Sequence, residues 1–235
     1  MGEGVTATDD WLPPLLSVIA GIVEVIGYMT LGSLFTAHVT GNLITIAALL
    51  VRGGPPSLTQ ILAVPVFMAA LAAVWLLAEA TGRRGSALVR PLLLVHFLLL
   101  CGVLICSAIS DPAVHPQGGI AAATAMIAVS AMACQFALLR LGVPGAPSTA
   151  VMTGNLTNSV LSLLDGLSGN RRLMEGDGER LTKPSRLVIG FFAGCLMGAA
   201  ALSLVGHWAW ALPVALAGVA LTRTSVALRR GVLLD

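Results

Sequence analysis

One short phrase is written twice in this chain. Thr36-Ala37-His38-Val39-Thr40-Gly41-Asn42-Leu43 returns as Thr149-Ala150-Val151-Met152-Thr153-Gly154-Asn155-Leu156, and the step from Thr40 to Thr153 is 113 residues in a sequence of 235. A recurrence at close to half the chain length points to an internal duplication. Each Thr-Gly-Asn opens an apolar run, residues 41–51 and 154–164. At about 1.5 Å rise per residue, each run makes a helix roughly half a membrane thick. The Thr40 and Thr153 hydroxyls are expected to cap these helices, and the glycine to let the chain turn sharply into them. Paired half-helices beginning at polar caps inside a bilayer are a known way to build a solute or ion site.

The rest of the sequence supplies the membrane setting. It is 57% hydrophobic and 10% charged, with a mean hydropathy of +0.92, where soluble domains carry about a quarter charged residues. This composition predicts an all-α integral membrane protein whose main partner is the lipid bilayer. A net charge of +2 gives no footprint for nucleic acid. The cysteines (Cys101, Cys106, Cys134 and Cys195) fall inside apolar runs without Cys-x-x-Cys spacing, which suits packing residues and not a metal site or a disulfide frame. The leader, residues 1–10, is acidic and lacks a basic side chain, so it does not read as a cleaved signal peptide.

Six spans are expected, at about 11–31, 58–80, 91–110, 118–139, 185–205 and 208–221, with a hydrophilic loop at 167–184. Trp11, Trp208 and Trp210 suit interfacial anchors. Loop charge selects this topology over one in which the short helices also cross. With both short helices re-entrant, every Arg and Lys except Arg52 falls on one side, and the positive-inside rule makes that side cytoplasmic together with the C-terminus. Three spans per half inverts the second repeat (111–235) relative to the first (1–110), and the two half-helix N-termini would then approach each other near the midplane. Span five carries Gly190, Gly194 and Gly198, a small-residue stripe for close helix packing, either within the chain or in a homodimer. Pro65, Ala69 and Ala73 repeat that spacing in span two.

Glu24 is the one acid in the middle of a span. An intramembrane carboxylate is expensive unless paired, and so marks a functional position, either a proton acceptor or a cation ligand. Gln135 holds the comparable place ahead of the second phrase and is neutral. His38, replaced by Val151 in the second copy, could relay protons or bond backbone. Asn158 follows Asn155 by three, which predicts that both amides share a helix face. The expected substrate-binding set is therefore Glu24, His38, Thr40, Asn42, Gln135, Thr153, Asn155 and Asn158. His96, His115 and His207 show no metal spacing. No nucleophile elbow, phosphate loop or cofactor fingerprint is present, and an enzyme is not expected.

These residues resemble the YoaK-like family of bacterial inner-membrane proteins, a largely uncharacterised six-span group. The likeness rests on Ala20-Gly21-x-x-Glu24, Gly32-x-x-Phe35-x-x-His38-x-Thr40-Gly41-Asn42, Met132-x-x-Gln135 with Arg140, and Thr153-Gly154-Asn155. The family more often has Asp at the position of Glu24 and Asn at that of Phe136. The resemblance implies a multi-pass inner-membrane protein and brings no substrate. The leading expectation is a transporter or channel for a small polar or ionic solute. The alternative is a non-transporting scaffold or stress-response protein that works through helix association.

Overall fold

The computed structural model describes residues 8–112, 114, 118–149, 151–167 and 177–229. The regular structure among those residues is all helical, with no strand. The order is α1 (Thr8–Thr30), α2 (Thr40–Arg52), α3 (Leu58–Thr81), α4 (Ser86–Ile109), α5 (Gly119–Gly142), α6 (Met152–Leu167), α7 (Asp177–Val205), a 3-10 turn (Gly206–Trp210) and α8 (Ala211–Arg229). The short helices begin earlier and end later than the apolar runs suggested. Much of the hydrophilic loop, His115 and the last residues of the chain lie outside the described residues.

Five helical stretches are long and apolar enough to cross a membrane: Trp11–Thr30, Leu58–Thr81, Ser86–Ile109, Gly119–Gly142 and Thr182–Val226. The last stretch runs through α7, the 3-10 turn and α8, and it doubles back. Gly190 packs on Pro14 and Gly198 on Ile22, so α7 runs parallel to α1. Arg223 of α8 lies over the ring of Trp11 at the start of α1, 5.9 Å from its centroid. The chain has therefore reversed, at Gly206 with its φ of 57°, which α8 needs in order to return.

Two helices form the centre. Both α1 and α5 are largely buried, whereas α3 and α7 present Met68, Trp75, Leu76, Phe192 and Leu196 outward. An apolar exterior of that extent suits lipid and not water. Alanine makes α5 thin, and Ala121, Ala125, Ala128, Ala131 and Ala137 are all buried where α4 and α3 close on it. Around α1 the same work is done by glycine. A Cβ on Gly194 would run into the Val18 carbonyl, and one on Gly21 into the Phe191 carbonyl. Without side chains there, two backbones meet directly, and Ser17 donates across the seam to the Leu187 carbonyl at 2.6 Å.

The glycine stripe is thus filled by α1 of the same chain, the first of the two alternatives its spacing left open. The matching stripe of α3 behaves differently, since Pro65, Ala69 and Ala73 are exposed. Trp208 is exposed as an interfacial anchor should be, but Trp210 is buried.

We expect Gly194→Leu to abolish folded protein in detergent, since overpacking backbone against backbone costs about 3 kcal/mol or more. Ala69→Leu should leave the melting temperature within the range of surface changes, about 0.5 kcal/mol. Fluorescence-detected size exclusion with a thermal ramp reads both variants, and a fully stable Gly194→Leu protein would contradict the α1–α7 seam.

Candidate functional site

After α1 the chain turns back on itself. Gly32 and Ser33 both take positive φ, 73° and 57°, and the second is unusual for a residue with a side chain. The returning strand of backbone lies along α1, with the Thr36 side chain seated on Gly27, where a Cβ would come within 2.8 Å of its methyl. This brings three consecutive non-helical N–H groups to one carboxylate. Glu24 Oε2 accepts from the N–H of Thr36 at 2.9 Å and of Ala37 at 2.6 Å, and from the Thr36 hydroxyl at 3.0 Å. Glu24 Oε1 accepts from the His38 N–H at 3.1 Å and lies 3.0 Å from His38 Nδ1. Successive N–H groups in such a turn form a nest for an anion, and here the anion is an internal side chain. Glu24 is 6% exposed, and His38 is the member of the pair that reaches the surface, its ring edge-on to Phe191 at 5.1 Å.

Asn42 closes the loop. Its Oδ1 accepts from the Phe35 N–H at 3.0 Å and its Nδ2 donates to the Phe35 carbonyl at 2.8 Å, so one amide satisfies both backbone groups of a residue seven positions earlier. Phe35 in turn covers Gly41 and stacks on Tyr28 at 5.1 Å. The helix start is capped without the Thr40 hydroxyl. Val39 is the N-cap, no side chain caps it, and Thr40 is exposed. The expected Thr cap is corrected on this point. The first free N–H groups instead bond backward in tight turns, Gly41 to His38 and Asn42 to Val39.

The second phrase carries a related set of bonds. Asn155 Nδ2 donates to the carbonyl of Ser148, again seven positions earlier, at 2.8 Å. Gln135 Nε2 lies 3.5 Å from the hydroxyl of Thr149, the counterpart of Thr36, and donates to the Leu16 carbonyl of α1 at 3.0 Å. Its Oε1 is buried without a partner among the described residues. Asn158 is exposed while Asn155 is buried. Thr153, like Thr40, is exposed.

Of the residues singled out from the sequence, Glu24, His38 and Asn42 gather in one cluster and Gln135 and Asn155 in another. Thr40, Thr153 and Asn158 join neither. Leu16 and Glu24 are eight residues apart on α1, so the clusters sit about 12 Å apart along it. The residues missed were Thr36 and Thr149. Both are fully buried, and both are the opening letter of the repeated phrase, which was the available signal. His96 packs between α4 and α5 with Nδ1 3.0 Å from the Ala131 carbonyl. Among the described residues, no group of three or more His, Cys, Asp or Glu could hold a metal ion.

The family model for DUF1275, described as a protein of unknown function, matches residues 12–222. The chain belongs to that family. No curated protein and no solved structure is a significant match to it. The DUF1275 match runs from α1 into α8 and so takes in both clusters, and it is consistent with the YoaK-like resemblance.

Asn42→Ala in this DUF1275 protein should lower stability by about 1–3 kcal/mol, because both backbone groups of Phe35 lose their partner. Asn158→Ala should change nothing beyond about 0.5 kcal/mol. Thermal unfolding of the two variants side by side checks the asymmetry.

Proposed function

We propose that this protein is a bacterial inner-membrane transporter or channel for a small polar or ionic solute, with Glu24 and His38 at its working site. The observation that carries the reading is the broken backbone at residues 32–39, which returns about 12 Å along α1 to Glu24 before α2 begins. Irregular backbone at membrane depth is tolerated where it is buried in protein or lines a solute path, and transporters use such breaks as binding sites. The pair has a direction of access as well: His38 faces outward and Glu24 inward. A proton passed from His38 to Glu24 removes the charge that three N–H groups hold, which loosens residues 36–38 and the start of α2. That couples protonation to a movement of the half-helix.

The six-span inverted architecture is part of the proposal. Its support is the pairing of helices, which follows a two-fold pattern when α1–α4 are matched with α5–α8. The α1–α7 contact then corresponds to α5–α3, α4–α5 to α8–α1, and α2–α3 to α6–α7. Gln60 near the start of α3 reaches the Gly32 carbonyl just past α1, so the chain leaves and returns at one level around α2, as a re-entrant helix requires.

A second reading, a scaffold acting through helix association, is favoured by one observation. Glu24, Asn42 and Asn155 are all buried and bonded within their own halves. An enzyme is not proposed.

A thermal-shift screen of purified protein across ions and metabolites, followed by uptake into proteoliposomes, separates the readings. On the transport reading, Glu24→Gln stays folded and loses pH-dependent uptake, since the amide keeps the shape and cannot titrate. If no solute shifts the wild type and Glu24→Gln merely lowers its melting temperature, the scaffold reading is the better one. Topology has its own test. Cysteines introduced at residues 81–90 and 167–184 should label from the cytoplasm, and those at 111–117 from the periplasm. Labelling of the first two on opposite faces would exclude the inverted arrangement.

A further inference from the structure

A cleft of about 550 Å³ lies between the start of α4 and the end of α8, far along the chain from both polar clusters. Its walls are apolar: Pro91 and Leu94 on one side, Leu221 and Val226 on the other. Two arginines stand on it, Arg83 from the turn after α3 and Arg90 from the second turn of α4. The turn that presents Arg83 is held by Gly82 and Gly85, both at positive φ. Neither arginine has an acid partner among the described residues, while their neighbour Arg84 is paired with Glu79 at 3.3 Å. The Thr222 and Ser225 hydroxyls in the cleft donate to carbonyls of their own helix, at 3.0 and 2.7 Å. That leaves the guanidinium groups as the available charged donors.

The level of the cleft follows from Arg223, which lies over Trp11 at the start of α1. An indole against a guanidinium at a helix end belongs to the membrane–water boundary. We infer that this cleft binds an anionic phospholipid, with the phosphate on Arg83 and Arg90 and an acyl chain along Leu94 and Val226. Arginine forks match phosphate oxygens. Basic pockets between transmembrane helices are where anionic headgroups settle. A free phosphate shares the first contact but makes no use of the apolar walls. Leu94 and Val226 are each nearly half exposed on the outer side of the helix pair, where a chain could lie. The inference is independent of whether the protein transports.

The test uses the full-length protein in phosphatidylcholine nanodiscs with and without phosphatidylglycerol. Lipid retention is read by native mass spectrometry after detergent release, and inorganic phosphate is tested separately in detergent by thermal shift. Phosphatidylglycerol should be retained in preference to phosphatidylcholine, and Arg83→Ala with Arg90→Ala should weaken retention roughly 25-fold, about fivefold per arginine. Arg84→Ala should leave it unchanged. Val226→Trp, with both arginines intact, should also lower retention by filling the acyl seat. Equal retention of both lipids, or an effect of Arg84→Ala as large as that of the double variant, would overturn the inference. So would a phosphate-induced thermal shift that Val226→Trp leaves intact, alongside unchanged lipid retention in that variant. That result would make the cleft a site for a soluble phosphate. All of these variants are at exposed positions, so each is expected to fold.

Discussion

The structure depends on how a stretch of non-helical backbone is made acceptable in an apolar interior. Each unpaired N–H there costs several kcal/mol, and residues 36–38 expose three in a row. Glu24 answers all three with one side chain, and the Thr36 hydroxyl and His38 ring complete the shell. The carboxylate is in turn made tolerable by the donors it receives, so neither partner is stable when buried without the other. The rest of the first half follows. Gly27 is bare so that Thr36 can approach, Asn42 ties Phe35, and α1 must be central so that its acid faces inward. That centrality explains the glycines of α7, which bring a second backbone against α1 on the side away from lipid.

The second half solves a smaller version of the problem with weaker chemistry. Gln135 has one acceptor oxygen where Glu24 has two, and that oxygen is buried without a partner among the described residues. Its amide nitrogen instead reaches across to α1 at Leu16, stitching the halves together. A neutral amide bonded to a neighbouring helix is a fixed joint. On the proposed reading, a titratable acid holding its own loop is a joint that can open. The two copies of the phrase thus share the bond from an Asn amide to backbone seven residues earlier, through Asn42 and Asn155, and differ in the kind of group that holds the loop.

The sequence was legible where side-chain type alone decides the outcome. Glycine at every fourth place in span five could only mean close packing, and Glu24 in an apolar span could only be paired or functional. It was illegible where the answer depends on which way a turn faces. Thr40 looked like a helix cap because Ser and Thr so often are, yet the helix begins at Thr40 itself and its free N–H groups bond back into the turn. Asn42 and Asn155 looked like ligands for a solute, and in the structure their amides bind backbone seven residues upstream. No periodicity encodes that return. The small residues of α3 matched those of α7 in spacing but not in orientation, since spacing fixes a face and not what that face meets.

Burial of Glu24 bears on the choice between transport and scaffold, and its magnitude can be weighed. Hydrogen bonds to a charged group contribute about 1.5–3 kcal/mol each, so releasing three N–H groups together costs roughly 5–9 kcal/mol if the bonds break independently. A turnover of about one per second corresponds to a barrier near 17 kcal/mol. Opening the nest therefore fits within the activation energy of an ordinary transporter, and a sealed resting state does not argue against a working site. What burial does require is that opening be linked to something that weakens the acceptor. Among the described groups that hydrogen-bond to Glu24, His38 is titratable and partly exposed. Replacing His38 by a residue that cannot carry a proton should thus slow the proposed pH-dependent step without moving its dependence on solute. A scaffold has no reason to distinguish His38 from any residue of similar size.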